Sequence, residues 1–324
     1  MRFSVDAWDP AYGTSFEVAD DDSDGMDPSS AAVEPGVEMP AAEWRPVPPR
    51  SDVTAPATVL FVDGVRRVDA HVWIEGDGPS HEHRGGATAG ICASYAAGVV
   101  TCSRSGAQVG TVEVRRGLFT PSPSAADLLL PRAAYPVHPA EADDTERLSL
   151  ALQRRLGEAE VACALAARGG VADADDLLVV DGPLRGRAHL PRVLGMIKSH
   201  RSTYLPPELN GLVVVLAPGE RTPAFRMGTS WRRHSWYLRL PGRPGAPWAG
   251  VVRVECAADL AGPAVVALAD LSQVVLPRHA SVEYKDQRAP QNLYPIGGLE
   301  RLLRRRLGDP SLLNRALRQA AYAG

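Results

Sequence analysis

Two aspartates far apart in the chain share one setting. The run Ala57-Thr-Val-Leu-Phe-Val-Asp63-Gly64 reads as a buried strand closing on an Asp-Gly turn, and Asp176-Leu-Leu-Val-Val-Asp181-Gly182 repeats the pattern. Between them, Thr145 to Arg168 has a helical period and carries Glu158 and Glu160. Carboxylate oxygens at strand ends hold hard cations such as Mg²⁺ or Mn²⁺. If the two strands are sheet neighbours, Asp63 and Asp181 project from one edge, and the helix can present Glu158 or Glu160 to the same space. Three such carboxylates around one or two metals are how in-line phosphoryl displacement is usually arranged. Asp-Gly after a strand is also a common turn signal, and the residues alone leave both readings open.

The elements that must position these groups follow an α/β order. Arg67 to Glu75, Gly90 to Thr101 and Gly110 to Phe119 read as antiparallel strands separated by Gly-, Ser- and His-rich turns. The helix follows, with Leu148, Leu152, Leu156, Ala159, Cys163 and Ala166 on one face, and then the second aspartate strand. Arg187 to Ser199 is expected to be helical and Leu212 to Leu216 a strand. Ser235 to Leu240 and Val251 to Glu255 read as further strands. Ala258 to Asp270, Gly298 to Leu307 and Ser311 to Ala321 read as helices.

The chain has 324 residues and 45% hydrophobic content, enough for a core without staples, which excludes a mini-protein and a wholly disordered chain. Its net charge of -3 hides an asymmetry. Residues 1–50 carry eleven acids and three arginines, leaving a mildly basic body at 51–324. The stretch from Asp20 to about Pro49 has almost no large apolar residue, so 1–50 is expected to be an acidic, largely disordered leader. Trp8, Tyr12 and Phe16 mark a piece of it that either docks or stays exposed. Cys92, Cys102, Cys163 and Cys256 show no metal-ligand spacing, and no long apolar segment is present, so a reduced, cytoplasmic protein away from membranes is expected. There is no Gly-x-x-x-x-Gly-Lys-Ser/Thr loop and no Gly-x-Ser-x-Gly elbow, which argues against intrinsic ATP hydrolysis and α/β-hydrolase chemistry.

The succession Phe61-Val-Asp63-Gly64, acidic helix, Val180-Asp181-Gly182-Pro-Leu184 and Gly195-Met-Ile-Lys198-Ser199 resembles the NurA nuclease family. Further similarity lies in Trp236-Tyr-Leu-Arg239-Leu, Val252-Arg253-Val-Glu255 and Leu293-Tyr294-Pro295, so the likeness runs from about Ala57 to Leu307. The resemblance implies an RNase H-like mixed sheet with flanking helices. It also implies a metal-dependent deoxyribonuclease acting in DNA end resection and repair, as a homodimer, with a HerA-type hexameric ATPase and Mn²⁺ or Mg²⁺. By the same resemblance Asp63 and Asp181 match the metal-binding aspartates and Glu160, in preference to Glu158, the helix glutamate. Lys198, one of only two lysines with Lys285, matches a lysine near the phosphate, and Glu300 offers a last carboxylate.

The sequence departs from the family pattern at Val65, where a serine is usual, and lacks a late histidine, His279 lying upstream. A catalytically inactive scaffold is therefore the alternative reading, with an antiviral nuclease as a third. His71, His81 and His83 near Glu75, Asp77 and Glu82 read as turn residues in preference to a transition-metal site. Arg226, Arg232, Arg233 and His234, interleaved with Trp231, Trp236 and Tyr237, suit either a single-strand DNA channel or a hairpin with core aromatics. Arg301, Arg304, Arg305, Arg306, Arg315 and Arg318 either line a DNA path or face solvent.

Overall fold

The computed structural model describes residues 1–8, 10, 27–28, 31–76, 86–169, 175–200, 202–229, 231–243 and 245–323. Three short strands come first, β1 (Phe3–Val5), β2 (Asp27–Pro28) and β3 (Ala32–Glu34). A meander of three long strands follows, β4 (Thr58–Glu75), β5 (Ala87–Ser103) and β6 (Gly106–Thr120), then β7 (Leu128–Leu130), β8 (Ala133–Tyr135) and β9 (Val137–Pro139). Helix α1 (Thr145–Ala167) leads to β10 (Asp176–Asp181), β11 (Val193–Ile197), β12 (Ser202–Thr203) and α2 (Pro207–Val215). Strands β13 (Phe225–Gly228), β14 (Arg232–Arg239) and β15 (Val251–Ala257) precede α3 (Gly262–His279), α4 (Tyr294–Arg306) and α5 (Pro310–Ala323).

One sheet organises the molecule, with the strand order β3-β13-β14-β15-β11-β10-β4-β5-β6-β9 and β1 on the far half of β4. Within it, β4, β5 and β6 run antiparallel, while β10 lies parallel to β4 and β11 parallel to β10. With α1 crossing between β6 and β10, this is the RNase H-like arrangement expected from the sequence, a mixed sheet with flanking helices. Side chains alternate across the sheet. Val59, Phe61, Leu177 and Val179 enter a core with α3, and Leu60, Val62, Leu178 and Val180 enter another under α1. Asp144 caps α1, accepting from Arg147 N at 2.8 Å, and Leu148, Leu152, Leu156, Ala159 and Cys163 are its buried stripe. Helix α4 packs Leu299, Leu303 and the following Leu307 against Val65 and Ala96.

Several expectations change. Asp63-Gly64 is no turn: both residues lie inside the 18-residue β4, opposite Gly98 and Ala97 of β5. Residues 193–197 are a strand where a helix was expected, because Gly195 sits between β10 and β15. An added Cβ there would stand 2.8 Å from Gly182 O and 3.0 Å from Glu255 Cγ. Leu212 to Leu216, expected to be a strand, falls at the end of helix α2 (Pro207–Val215), since Pro207 opens the first turn and overrides the β-branched run that follows. Much of the leader is also ordered. Strand β1 pairs with β4 and β3 with β13, and Arg221, fully buried, holds Glu38 through two bonds of 2.7 and 2.9 Å. Acid content alone missed this because the leader's few apolar residues are supplemented by one bidentate ion pair. Tyr12, Phe16, His81, His83, Asp77 and Glu82 lie outside the described residues. Among the described residues, no helix is long and apolar enough to cross a membrane.

Candidate active site

The pairing of β4 with β10 runs from Asp176↔Thr58 to Val180↔Val62. One step further along the same register, Asp181 stands beside Asp63. Both follow the odd-numbered residues that point toward α3, so the two carboxylates share one face. Strand β10 stops at Asp181, and Gly182 turns away in the left-handed region at φ 100°. The end of one strand beside the middle of a longer one leaves the pair at the rim of a cavity of about 860 Å³.

Lys198 follows β11 on the same face. Its Nζ donates to Asp181 Oδ2 at 2.6 Å and to Asn292 Oδ1 at 3.0 Å. Asn292, buried, donates in turn to Asp286 Oδ2 at 2.6 Å. Asn292 and Asp286 were invisible to sequence reasoning, because neither belongs to a motif and the loop before α4 brings them in. Glu300 is held by Arg288 and by Arg304, the latter at 2.8 Å, and its charge still acts on Asp181. It lies near the pair as an ion-paired group.

Glu160 reaches the site from the opposite face. Gly64 makes this possible: an added Cβ there would lie 2.5 Å from Glu160 Oε1 and 2.7 Å from Leu156 Cδ1. Its partner is Arg187, from the turn after Asp181, which also donates to Pro183 O at 2.9 Å. Glu158 pairs with Arg155 at 2.8 Å and is exposed, so of the two helix acids only Glu160 is buried at the site.

Burial pushes the Asp63 carboxyl well above the usual carboxylate range, and Asp181 pushes it further; Lys198 and the Gly64 N–H pull it back only in part. Asp181 is raised as well, by burial, against the opposing charge of Lys198. Burial lifts Glu160 to about 7, with Arg187 opposing and Asp181 adding to the rise. Buried Asp63 and largely buried Asp181, side by side with one lysine bonded to Asp181, leave negative charge uncompensated. That excess and the all-oxygen donor chemistry fit a hard divalent cation held by Asp63 and Asp181, whose shell is completed by water and phosphate oxygens. Among the described residues no group of three His, Cys, Asp or Glu side chains is placed to hold a metal, and Glu160 is engaged by Arg187.

The basic hairpin does not form a channel. Trp236 and Tyr237 are fully buried, Trp236 donating to Ser272 at 3.0 Å. Arg233 is also buried, ion-paired with Glu255 at 3.1 Å and lying over the Trp231 ring. The core-aromatic alternative holds. His279 packs edge-on against Phe61 with centroids 4.8 Å apart. Val65, at the position where serine was the expected residue, is an apolar contact of α4. The arginines of α4 are exposed, and Arg318 of α5 ties the chain start down through Asp6 O at 2.9 Å.

No protein-family model matches the sequence, and no curated protein matches it significantly. Among solved structures, the NurA nuclease from Sulfolobus solfataricus is similar over 82% of this chain and 84% of its own, with a TM-score of 0.44 and 11% identity. An endonuclease V from Bacillus subtilis is similar over 79% and 86%, with a TM-score of 0.34 and 12% identity. The catalytic domain of human endonuclease V is similar over 78% and 83%, with a TM-score of 0.34 and 16% identity.

Proposed function

We propose that the chain is a metal-dependent deoxyribonuclease of the NurA type. The observation that carries the reading is the pair of buried Asp63 and largely buried Asp181, side by side at a cavity rim with Lys198 on Asp181. Buried like charges are costly, and a chain keeps them where the charge is used. Asp63 and Asp181 would hold Mn²⁺ or Mg²⁺, which when bound supplies a nucleophilic hydroxide at neutral pH and offsets charge on the phosphate. Lys198, fixed by Asn292, supplies a positive charge next to Asp181 and steadies that carboxylate. Glu160, with its carboxyl near 7, sits within electrostatic reach as a third acid or a proton acceptor. Action on DNA ends in repair, a HerA-type ATPase partner, a homodimer and a cytoplasmic setting belong to this reading through the family resemblance.

The test is purified protein with Mn²⁺ on end-labelled single- and double-stranded DNA, beside Asp63→Asn, Asp181→Asn and an EDTA control. Degradation by wild type alone, abolished by EDTA, is expected; equal degradation by both variants removes the site assignment. One observation favours a second reading, an inactive DNA-binding scaffold: Glu160 and Asp181 are each satisfied by an internal cation. Wild type that stays inert with its ATPase supplied would favour that reading.

A further inference from the structure

Five arginines line the cavity beside Asp63 and Asp181, namely Arg66, Arg147, Arg154, Arg185 and Arg187, and they are not equivalent. Arg147 and Arg154 share Glu141, at 2.9 and 3.5 Å. Arg66, two residues beyond Gly64 on the α1 side of β4, donates only to Ser149, at 3.2 Å to its carbonyl and 2.8 Å to its hydroxyl. Desolvation lowers its guanidinium below the ordinary value, with no carboxylate to restore it. Arg185 is exposed and forms no ion pair among the described residues. Arg187 is more than nine-tenths buried. One end of its guanidinium meets Glu160, while its Nε–H has no partner.

An unpartnered, desolvated donor beside two uncompensated cations calls for an anion with several oxygens. A guanidinium serves phosphate best, through parallel N–H donors. The carboxylates repel a polyanion, so any strand presented to Asp63 and Asp181 needs positive charge on its flanks. The cavity is the size of a small-molecule cleft, and among its described lining residues there is no Phe, Tyr or Trp to stack a base, so contact with a strand falls on its backbone. We infer that Arg66, Arg185 and Arg187 form a phosphate track for a single DNA strand, holding the backbone on either side of the phosphate at Asp63 and Asp181. Arg187, buried with its Nε–H unpartnered, sets positive charge behind the track while Glu160 holds the other end of its guanidinium. This rests on the nuclease reading and adds to it the binding residues, the strand state and sequence-independent recognition.

The experiment is fluorescence anisotropy with a labelled mixed-sequence single-stranded oligonucleotide in EDTA, over a series of NaCl concentrations. Arg66→Ala, Arg185→Ala and Arg187→Ala should each weaken binding alike for all sequences. Each should also reduce the slope of log K against log salt by about 0.7 per lost contact. Arg147→Ala, outside the track and held by Glu141, should leave the slope unchanged. Because Arg66 and Arg185 are exposed, their variants read the track even if Arg187→Ala unfolds. Wild-type slope and affinity in both exposed variants overturn the track, and so does binding confined to duplex. Either result leaves the nuclease reading standing if cleavage still depends on Asp63; wild type that neither binds nor cleaves DNA overturns both.

Discussion

Asp181 stands one register step past the Val180↔Val62 pair, beside Asp63, and Lys198 Nζ lies 2.6 Å from its Oδ2. The two carboxylates therefore form a cross-strand like-charge pair inside the sheet, an arrangement that costs stability at any pH where both are ionised.

Removing one charge should relieve that cost. Asp63→Asn and Asp181→Asn are expected to reduce cleavage to background. Asp63→Asn, which leaves the Lys198–Asp181 bond intact, should also raise stability in EDTA by about 0.5–2 kcal/mol. Thermal melts paired with end-labelled cleavage assays check both halves. A variant that loses activity and stability together would mark Asp63 as structural.

Gly64 is required by packing, since Glu160 Oε1 and Leu156 Cδ1 already fill the space of a methyl group. Gly64→Ala should cost about 1–3 kcal/mol in urea unfolding. The double variant Gly64→Ala/Leu156→Ala should lose less than the sum of the two single changes, because the shortened side chain makes room for the methyl.

Arg221 ties the leader to the body. It is fully buried and bonded to Glu38, to Asp270 at 2.5 Å and to Gln273 at 3.0 Å. Arg221→Met should destabilise the protein by about 3–5 kcal/mol, since it strands two carboxylates. Limited proteolysis of the variant should cut between residues 31 and 50, a stretch protected in wild type. The same anchoring means that deleting residues 1–50 removes β1 and β3 along with the acids.

Burial, with Arg278 adding to it, lowers the His279 pKa below 6.5. A histidine kept neutral in the folded state takes up its proton more readily when unfolded, so stability is full above pH 6.5 and falls as pH drops toward the folded pKa. His279→Asn should flatten that fall below about pH 6.5. His138 and His200 are lowered for the same reason and should keep the rest of the slope. An unaltered slope in the variant would place the effect elsewhere.

The order of the central elements and the matching strand positions of Asp63 and Asp181 are legible in the amino-acid sequence. Alternation and the helical period depend on which residues must be buried, and the run from Thr58 to Asp63, the stripe of α1 and the run from Asp176 to Asp181 carry that signal strongly. It could not determine that Asp63-Gly64 continues a strand, because an Asp-Gly pair reads as a turn until a helix is known to press on the glycine. Nor could it choose between helix and strand for residues 193–197 and 207–215, where short apolar runs fit both periods and only the sheet neighbours or a proline-opened turn decide. Tertiary structure alone brought Asn292 and Asp286 to Lys198, set Arg187 on Glu160 and buried Trp236 and Arg233. Those contacts join residues distant in sequence, and their energies come from desolvation and pairing, which depend on where the backbone places each charge.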